Sequence, residues 1–253
     1  MDQHFTEVSS VYQDVRTTDL EPVERIAMAL EGLPHPKGAD IGCGSGRYDL
    51  SMFKTIPGLN LTCIDANREM LKQARELLAA NTIDAFETRQ STVEELELKA
   101  GAYDFVSSFN AVHHFDFPDF LRKSGEGLAA GGHLFVYTRL PEQNARNIWG
   151  QHFPGFAEME TRLSELDEIY RWIENAPGLR FVSAICLRYR RRSTLERLVE
   201  QARSRHYSTF SLYDQDAFEE ALAVFRKNVR HRFDDAVEWH DENLLVHAHR
   251  HND

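Results

Sequence analysis

Three observations predict an α/β fold, doubly wound, with a seven-stranded, mostly parallel sheet whose last strand is antiparallel and which carries a helical cap insertion. Strand-type apolar runs alternate with segments of helical period through the first half of the chain. A turn with three alternate glycines, Asp40-Ile-Gly42-Cys-Gly44-Ser-Gly46-Arg47, lies between one such run and the next helix. A later run, Leu-Thr-Cys-Ile-Asp65, ends on an acid. Residues without Cβ let the backbone turn tightly off a strand and approach a ligand closely. An acid at the carboxyl edge of the sheet accepts both hydroxyl hydrogens of a ribose. Loop and acid together point to a nucleotide-type ligand gripped by backbone.

The elements follow in order. Asp19 offers an N-cap and Pro22 a first-turn residue to a helix with Val23, Ile26, Ala27 and Leu30 at helical spacing, ended by Pro34-His-Pro36. After the strand leading into the glycine turn comes a helix with Leu50 and Phe53 inward, then a strand over 59–65. Helix 67–80 carries Met70, Leu71, Ala74, Leu77 and Leu78. Strands near 83–88 and 103–108 flank a short acidic segment, and a strand over 133–139 closes the binding half. Residues 144–176 read as helix and 179–190 as strand. Two helical segments follow. The first opens on Ser193-Thr-Leu-Glu196, a capping-box pattern; the second carries Phe218, Leu222, Phe225, Val229 and Phe233. A last strand over about 237–249 returns antiparallel. No repeat or low-complexity linker divides residues 1–253, so one domain is expected, with 35–140 as its ligand-binding half and 193–233 as a cap over a second pocket.

The glycine spacing narrows the nucleotide. A dinucleotide fingerprint wants a third glycine at position 47, which is Arg, and no Gly-Lys-Ser/Thr follows as in a P-loop. The residues instead resemble motif I of the class I S-adenosylmethionine-dependent methyltransferases, including the acid Asp40 two positions before the first glycine. Asp65-Ala66-Asn-Arg-Glu-Met70-Leu resembles that family's acidic strand end and following helix, and Ser91-Thr92-Val93-Glu-Glu-Leu its adenine-side segment. Tyr103-Asp-Phe-Val-Ser-Ser-Phe-Asn110-Ala-Val-His113-His114 resembles its fourth strand and loop, and Leu128-Ala-Ala-Gly131-Gly132-His-Leu-Phe-Val the turn into its fifth strand. The resemblance covers roughly residues 35–140, in order.

It implies S-adenosylmethionine as cofactor, held by Asp40, Gly42, Gly44, Gly46, Asp65, Ala66, Met70, Thr92, Val93 and Asn110, with Tyr12 and Arg16 covering it from the N-terminal side. Thr92 stands where the family usually has an Asp against the adenine amino group. Arg47 rivals Arg16 for the cofactor carboxylate. Methyl transfer is an in-line displacement in which positioning supplies on the order of 7–11 kcal/mol. A base adds roughly 2–5 kcal/mol when the acceptor carries a proton. His113, directly after the fourth strand, is the candidate base; the plainer reading is a histidine that lines the loop. Tyr137 and Arg139 end the fifth strand near the pocket, and the aromatics of 149–156 with Tyr207, Phe210 and Tyr213 offer either a substrate wall or ordinary packing.

Composition trims the alternatives. The formal net charge of -11 disfavours a bulk electrostatic grip on nucleic acid. No apolar run of spanning length or basic-then-apolar leader is visible, so a soluble, cytoplasmic protein is expected, with no membrane partner. Cys43, Cys63 and Cys186 read as reduced core thiols. His247-Ala-His249-Arg-His251 alternates at strand period without a carboxylate or Cys partner and reads as a frayed C-terminal strand, so no metal is expected. The Asp/Asn-Pro-Pro-aromatic quartet of nucleic-acid amino methylation is missing after Phe109, as are a nucleophilic Cys and paired acids. A metal-free transfer to a small-molecule acceptor remains. An RNA or protein substrate is favoured instead if Arg188, Arg190 to Arg192, Arg203 and Arg205 form one exposed patch, and a cofactor-binding protein without catalysis if side chains block the pocket.

Overall fold

In a computed structural model, residues 18–233 and 236–251 are described. Helix α1 (Glu21–Ala29) precedes β1 (Lys37–Ile41), and α2 (Arg47–Thr55) leads to β2 (Asn60–Asp65). Helix α3 (Arg68–Ala80) leads to β3 (Phe86–Gln90), then β4 (Tyr103–Phe109), a 3₁₀ turn over Val112–His114, α4 (Phe117–Gly127) and β5 (Leu128–Thr138). Four short helices follow: α5 (Pro141–Arg146), α6 (Ile148–His152), α7 (Phe156–Met159) and α8 (Leu166–Asn175). Strand β6 (Leu179–Ser193), α9 (Leu195–Arg203), a 3₁₀ turn (Ser208–Leu212), α10 (Gln215–Arg232) and β7 (Val237–Arg250) complete the chain.

The sheet has seven strands in the order β3-β2-β1-β4-β5-β7-β6. Strands β1 to β5 pair in parallel, and β7 inserts antiparallel to both β5 and β6, so the last strand runs as expected. Strand order reverses between β1 and β4. One face of the sheet buries Tyr48 and Met52 of α2, Leu78 of α3 and Val23 and Ile26 of α1. The other buries Phe117, Phe120 and Leu121 of α4 with Ile169 and Ile173 of α8. The connections therefore leave β1 and β4 toward opposite faces and open a crevice at their carboxyl ends.

A third cluster lies beyond the two faces and meets the sheet at Val237 of β7. Ile148, Trp149, Phe153 and Phe156, from before β6, pack with Leu198, Phe210, Phe218, Leu222, Phe225 and Val229 from after it. The cap expected over 193–233 thus shares its core with a second chain segment. The single helix expected over 144–176 is broken for visible reasons: Asn147 caps α6 by accepting from the amides of Trp149 and Gly150, and Gly155 takes φ +79° after Pro154.

Other expectations are corrected locally. Asp19 is no helix cap; Leu20 stands at that position, and the Asp19 carboxylate bonds Tyr137 and Arg191 instead. Helix α2 turns Tyr48, Asp49 and Met52 inward, leaving Leu50 and Phe53 only partly buried. Thr194, not Ser193, caps α9 through the Arg197 amide, and Ser193 ends β6. Cys186 is exposed. Strand β7 is not frayed at its C-terminal part, because Leu244–His249 lies between β5 and β6. No described helix is long and apolar enough to cross a membrane.

Polar side chains tie the C-terminal strands to the chain ahead of α1 in a closed ring. The Tyr137 hydroxyl donates to Asp19 Oδ2 at 2.9 Å and accepts from Asn243 Nδ2 at 2.9 Å. Asn243 Oδ1 accepts from Arg139 Nε at 3.2 Å, and the Arg139 guanidinium lies 3.6 Å from Asp241. Asp241 accepts from Arg191 Nε at 3.2 Å, and Arg191 Nη2 closes the ring on Asp19 at 2.5 Å. Two Arg and two Asp balance, which is the condition under which buried charges are tolerated.

Midway along β5, His133 Nδ1 and His247 Nε2 approach to 3.0 Å, and the His247 ring stacks on Phe135 with centroids 4.6 Å apart. Burial, then the neighbouring imidazoles, push His247 down to about 4. A lowered histidine favours folding above its unfolded pKa, and that stability is lost as pH falls from about 6.5 toward 4. His247→Leu is therefore expected to flatten the acid limb of a urea-unfolding pH series relative to wild type; an unchanged slope would clear His247 of that role.

Candidate functional site

The crevice between the carboxyl ends of β1 and β4 holds a cavity of about 410 Å³. Gly42, Gly44, Asp65, Ala66, Met70, Thr92, Val93, Asn110 and His113 all line it, with Cys43, Tyr48 and His114. Gly44 has φ +56° and nothing within 4 Å of where a Cβ would stand, so the backbone is bare where the cavity begins. Asp65 clamps this loop: its Oδ2 accepts from the Gly44 amide at 2.9 Å and its Oδ1 from the Asn67 amide at 2.8 Å. Each carboxylate oxygen keeps lone-pair capacity for a ligand hydroxyl. The same acid thus shapes the turn and faces the cavity.

Asn110 terminates β4 at φ +54°, a left-handed conformation that asparagine tolerates, and its amide donates to the Tyr137 carbonyl at 2.7 Å. The wall at Val93 is fixed from beneath: buried Lys123 of α4 donates to the carbonyls of Val93 and Glu94, each at 2.6 Å. Nothing in the sequence near residue 93 announces that lysine, thirty positions away.

Asp40 and Gly46 are brought near but do not reach the cavity. Gly46, at φ +81°, is the seat of α2 on α3, since a Cβ there would come within 3.0 Å of Ala74. Asp40 is 1% exposed and bonds Ser107 Oγ at 2.7 Å. Beside it lies Asp49, fully buried, and Asp40 Oδ2 and both Asp49 oxygens lack a hydrogen-bond partner at ordinary geometry. Burial raises Asp40 to about 6 and Asp49 well above the carboxylate range. A proton held between the two carboxyls is the donor that satisfies them. Asp49 was missed from sequence, although an acid between Tyr48 and Met52 on the core face of α2 was its signal. Tyr12 and Arg16 lie outside the described residues.

A second cavity, of about 180 Å³, adjoins the first. Arg47, Tyr48, Asn110, His113 and Ser208 line both. Tyr48 stacks on Phe109 with centroids 4.2 Å apart and planes 7° from parallel, which fixes the dividing wall. Ser208, from the 3₁₀ turn after α9, places its Oγ 3.5 Å from His113 Nε2. That turn is anchored by Glu160, whose Oε2 accepts from Thr209 at 2.6 Å and from Arg162 at 2.5 Å. Burial alone would raise Glu160, but these donors outweigh it and hold the carboxyl below its ordinary range. Arg139, Trp149 and Tyr207 reach the second cavity, whereas Phe153, Phe156, Phe210 and Tyr213 are packing of the cap. Among the described residues, no group of three or more His, Cys, Asp or Glu is arranged to hold a metal.

The geometry has relatives. Residues 39–136 match the family model described as a methyltransferase domain. Over 114 residues the chain is 31% identical to a ubiquinone biosynthesis O-methyltransferase of Cronobacter sakazakii, spanning 45% of this chain and 46% of that one. Over 129 residues it is 30% identical to a ribosomal RNA small subunit methyltransferase C of Shewanella halifaxensis, spanning 47% of this chain and 37% of that one. The chain thus spans about half or less of these relatives' lengths. A crystal structure of a putative methyltransferase from an antibiotic biosynthesis pathway of Anabaena variabilis superposes with a TM-score of 0.70. At 20% identity it covers 92% of this chain and 98% of that one, a likeness of fold.

The buried acid pair sets a testable pH dependence. A carboxyl raised in the folded state favours folding below its unfolded pKa, and that contribution is lost as pH rises through the folded value. Asp49→Asn keeps the shape and removes the titration. It is expected to gain about 1–3 kcal/mol over wild type near pH 8 and little near pH 5 by urea unfolding. A pH-independent difference would mean that Asp49 is not held protonated.

Proposed function

We propose that the chain, whose residues 39–136 match a methyltransferase-domain model and whose fold is similar to that of a methyltransferase structure, transfers a methyl group from S-adenosylmethionine to a small-molecule acceptor. The observation that carries this reading is the pair of adjoining cavities meeting at His113 and Asn110. The first offers a bare glycine backbone and the Asp65 carboxylate, an acceptor for ribose hydroxyls. The second is built partly by the cap.

S-adenosylmethionine, when bound, supplies an electrophilic methyl on a sulfonium. Gly42 and Gly44 would admit it close to the backbone, Asp65 would accept the ribose hydroxyls, and Thr92 and Val93 would flank the base. Asn110 and Tyr48 belong to both cavities and would stand between cofactor and acceptor. His113, which lines both cavities, would take the proton of an acceptor O–H or N–H as that atom bonds the methyl carbon and the carbon–sulfur bond breaks, its electron pair returning to sulfur.

An RNA substrate is the competing reading, and it draws on the ribosomal RNA methyltransferase likeness. The arginines it would need are engaged within the chain. Arg188 pairs with Glu242, Arg190 and Arg192 with Glu238, Arg203 with Glu219, and Arg191 with Asp19 and Asp241. Arg205 donates to the Phe210 carbonyl. Such pairing favours a small acceptor. Action in the cytoplasm belongs to the same proposal and rests on Cys43, Cys63 and Cys186 all being free thiols.

Calorimetric titration with S-adenosylmethionine, S-adenosylhomocysteine and NAD tests the cofactor: binding of the first two alone is expected, and NAD binding would reverse the assignment. Asp65→Ala is expected to weaken cofactor binding at least tenfold, about 1.4 kcal/mol; an unchanged dissociation constant would remove Asp65 from the site. His113→Ala is expected to slow turnover while cofactor affinity holds. Full activity across pH would leave His113 a lining residue.

A further inference from the structure

The second cavity is built for charge. Leu163 is the only aliphatic side chain among its described lining residues. Four arginines, Arg47, Arg139, Arg191 and Arg192, face three acids, Asp19, Glu160 and Asp241. The acids are spoken for: Asp19 by Tyr137 and Arg191, Asp241 by Arg191 and Trp239, and Glu160 by Arg162 and Thr209. Arg139, Arg191 and Arg192 are matched in turn by Asp241, Asp19 and Glu238, so in a chain of formal net charge -11 this concavity is lined by paired charge.

Two side chains on its wall have donor capacity to spare. Arg139 is 8% exposed; its guanidinium is hydrogen-bonded to the Tyr207 side chain and through Nε, and its five N–H groups outnumber these acceptors. Nε is shared between the Glu242 carbonyl and Asn243 Oδ1, both at 3.2 Å, while the Asp241 carboxylate stands off at 3.6 Å. Its Cζ lies 5.4 Å from the Tyr207 ring centroid, so the planar fork is held in orientation. Asn144 is 5% exposed and its Nδ2 has no hydrogen-bond partner. The amide orientation is determined by its neighbour. Asn147 uses Oδ1 to accept from two backbone amides, so its Nδ2 is the donor to Asn144 Oδ1, at 3.3 Å. That leaves the Asn144 NH₂ as a buried donor awaiting an acceptor.

We propose that the acceptor is a small molecule bearing a carboxylate, which docks on Arg139 and Asn144 while its reacting atom faces His113. The inference rests on the methyltransferase reading for its direction and on the cavity wall for its chemistry. A planar carboxylate takes two parallel N–H bonds from a guanidinium and a further one from an amide, matching this donor set. A long prenyl tail finds no aliphatic channel among the described lining residues of this cavity.

The test uses the full chain saturated with S-adenosylhomocysteine, reading tryptophan fluorescence, because Trp149 and Trp239 line the cavity. The probes are 4-hydroxybenzoate, its neutral methyl ester, and phenyl phosphate. The carboxylate is expected to bind at least about tenfold more tightly than the ester. Asn144→Asp, which sets a like charge against the probe, and Arg139→Gln are each expected to abolish that preference with S-adenosylhomocysteine affinity retained. Equal or tighter binding of the ester, tighter binding of phenyl phosphate, or no carboxylate binding at millimolar concentration would overturn the proposal. If Arg139→Gln fails to fold, Asn144→Asp decides. If neither S-adenosylmethionine nor its product binds, the methyltransferase reading fails. The probe titration on the cofactor-free chain then still decides the carboxylate site.

Discussion

Everything at this site depends on the reversal of strand order between β1 and β4. Two neighbouring parallel strands send their connections to opposite faces of the sheet, so nothing covers the edge between their carboxyl ends. The glycine turn after β1 and the Asn110 turn after β4 are both left-handed backbone at that edge, one permitted by the missing Cβ and the other by asparagine. Asp65 converts the open edge into a fixed shape by holding the Gly44 and Asn67 amides with one carboxylate. A ligand can meet preorganised donors and acceptors there without the loop having to order itself first.

Burying so much polarity at one end of a sheet needs compensation, and the fold supplies it in two ways. The ring from Asp19 through Tyr137, Asn243, Arg139, Asp241 and Arg191 matches each charge with an opposite one and each hydroxyl with a donor and an acceptor. Charge-assisted bonds of this kind contribute about 1.5–3 kcal/mol each when both partners are present, and breaking one partner of a buried pair costs about 3–5 kcal/mol. Asp40 and Asp49 follow the other course: with no cation near, protonation replaces pairing. The ring floors the second cavity; the acid pair underlies the glycine turn of the first.

The cap contributes by position. Its core joins residues before β6 to residues after it and meets the sheet at Val237 of β7. Glu160 then ties the turn carrying Ser208 and Thr209 to the segment ahead of α8, and this brings Ser208 beside His113. The wall shared by the two cavities is thereby made of residues from α2, the turn after β4 and the cap, three parts of the chain with no local sequence relation.

What the sequence alone determined was whatever depends on short-range pattern. The alternation of strand and helix, the glycine turn, the acid ending β2 and the residues Ala66, Met70, Thr92, Val93 and Asn110 lie within a few positions of a periodic or motif signal, and all of those residues face the first cavity. The broken helix over 144–176 was less legible, because apolar periodicity continues through Pro154-Gly155 although the backbone cannot. Asp19 looked like a helix cap because capping is a local preference, yet its carboxylate is claimed by Tyr137, 118 positions away. Lys123, Asn144, Glu160 and Ser208 carry no local mark either. Their roles arise from hydrogen bonds and packing between distant segments, which only the tertiary structure brings within the roughly 3 Å at which such groups act.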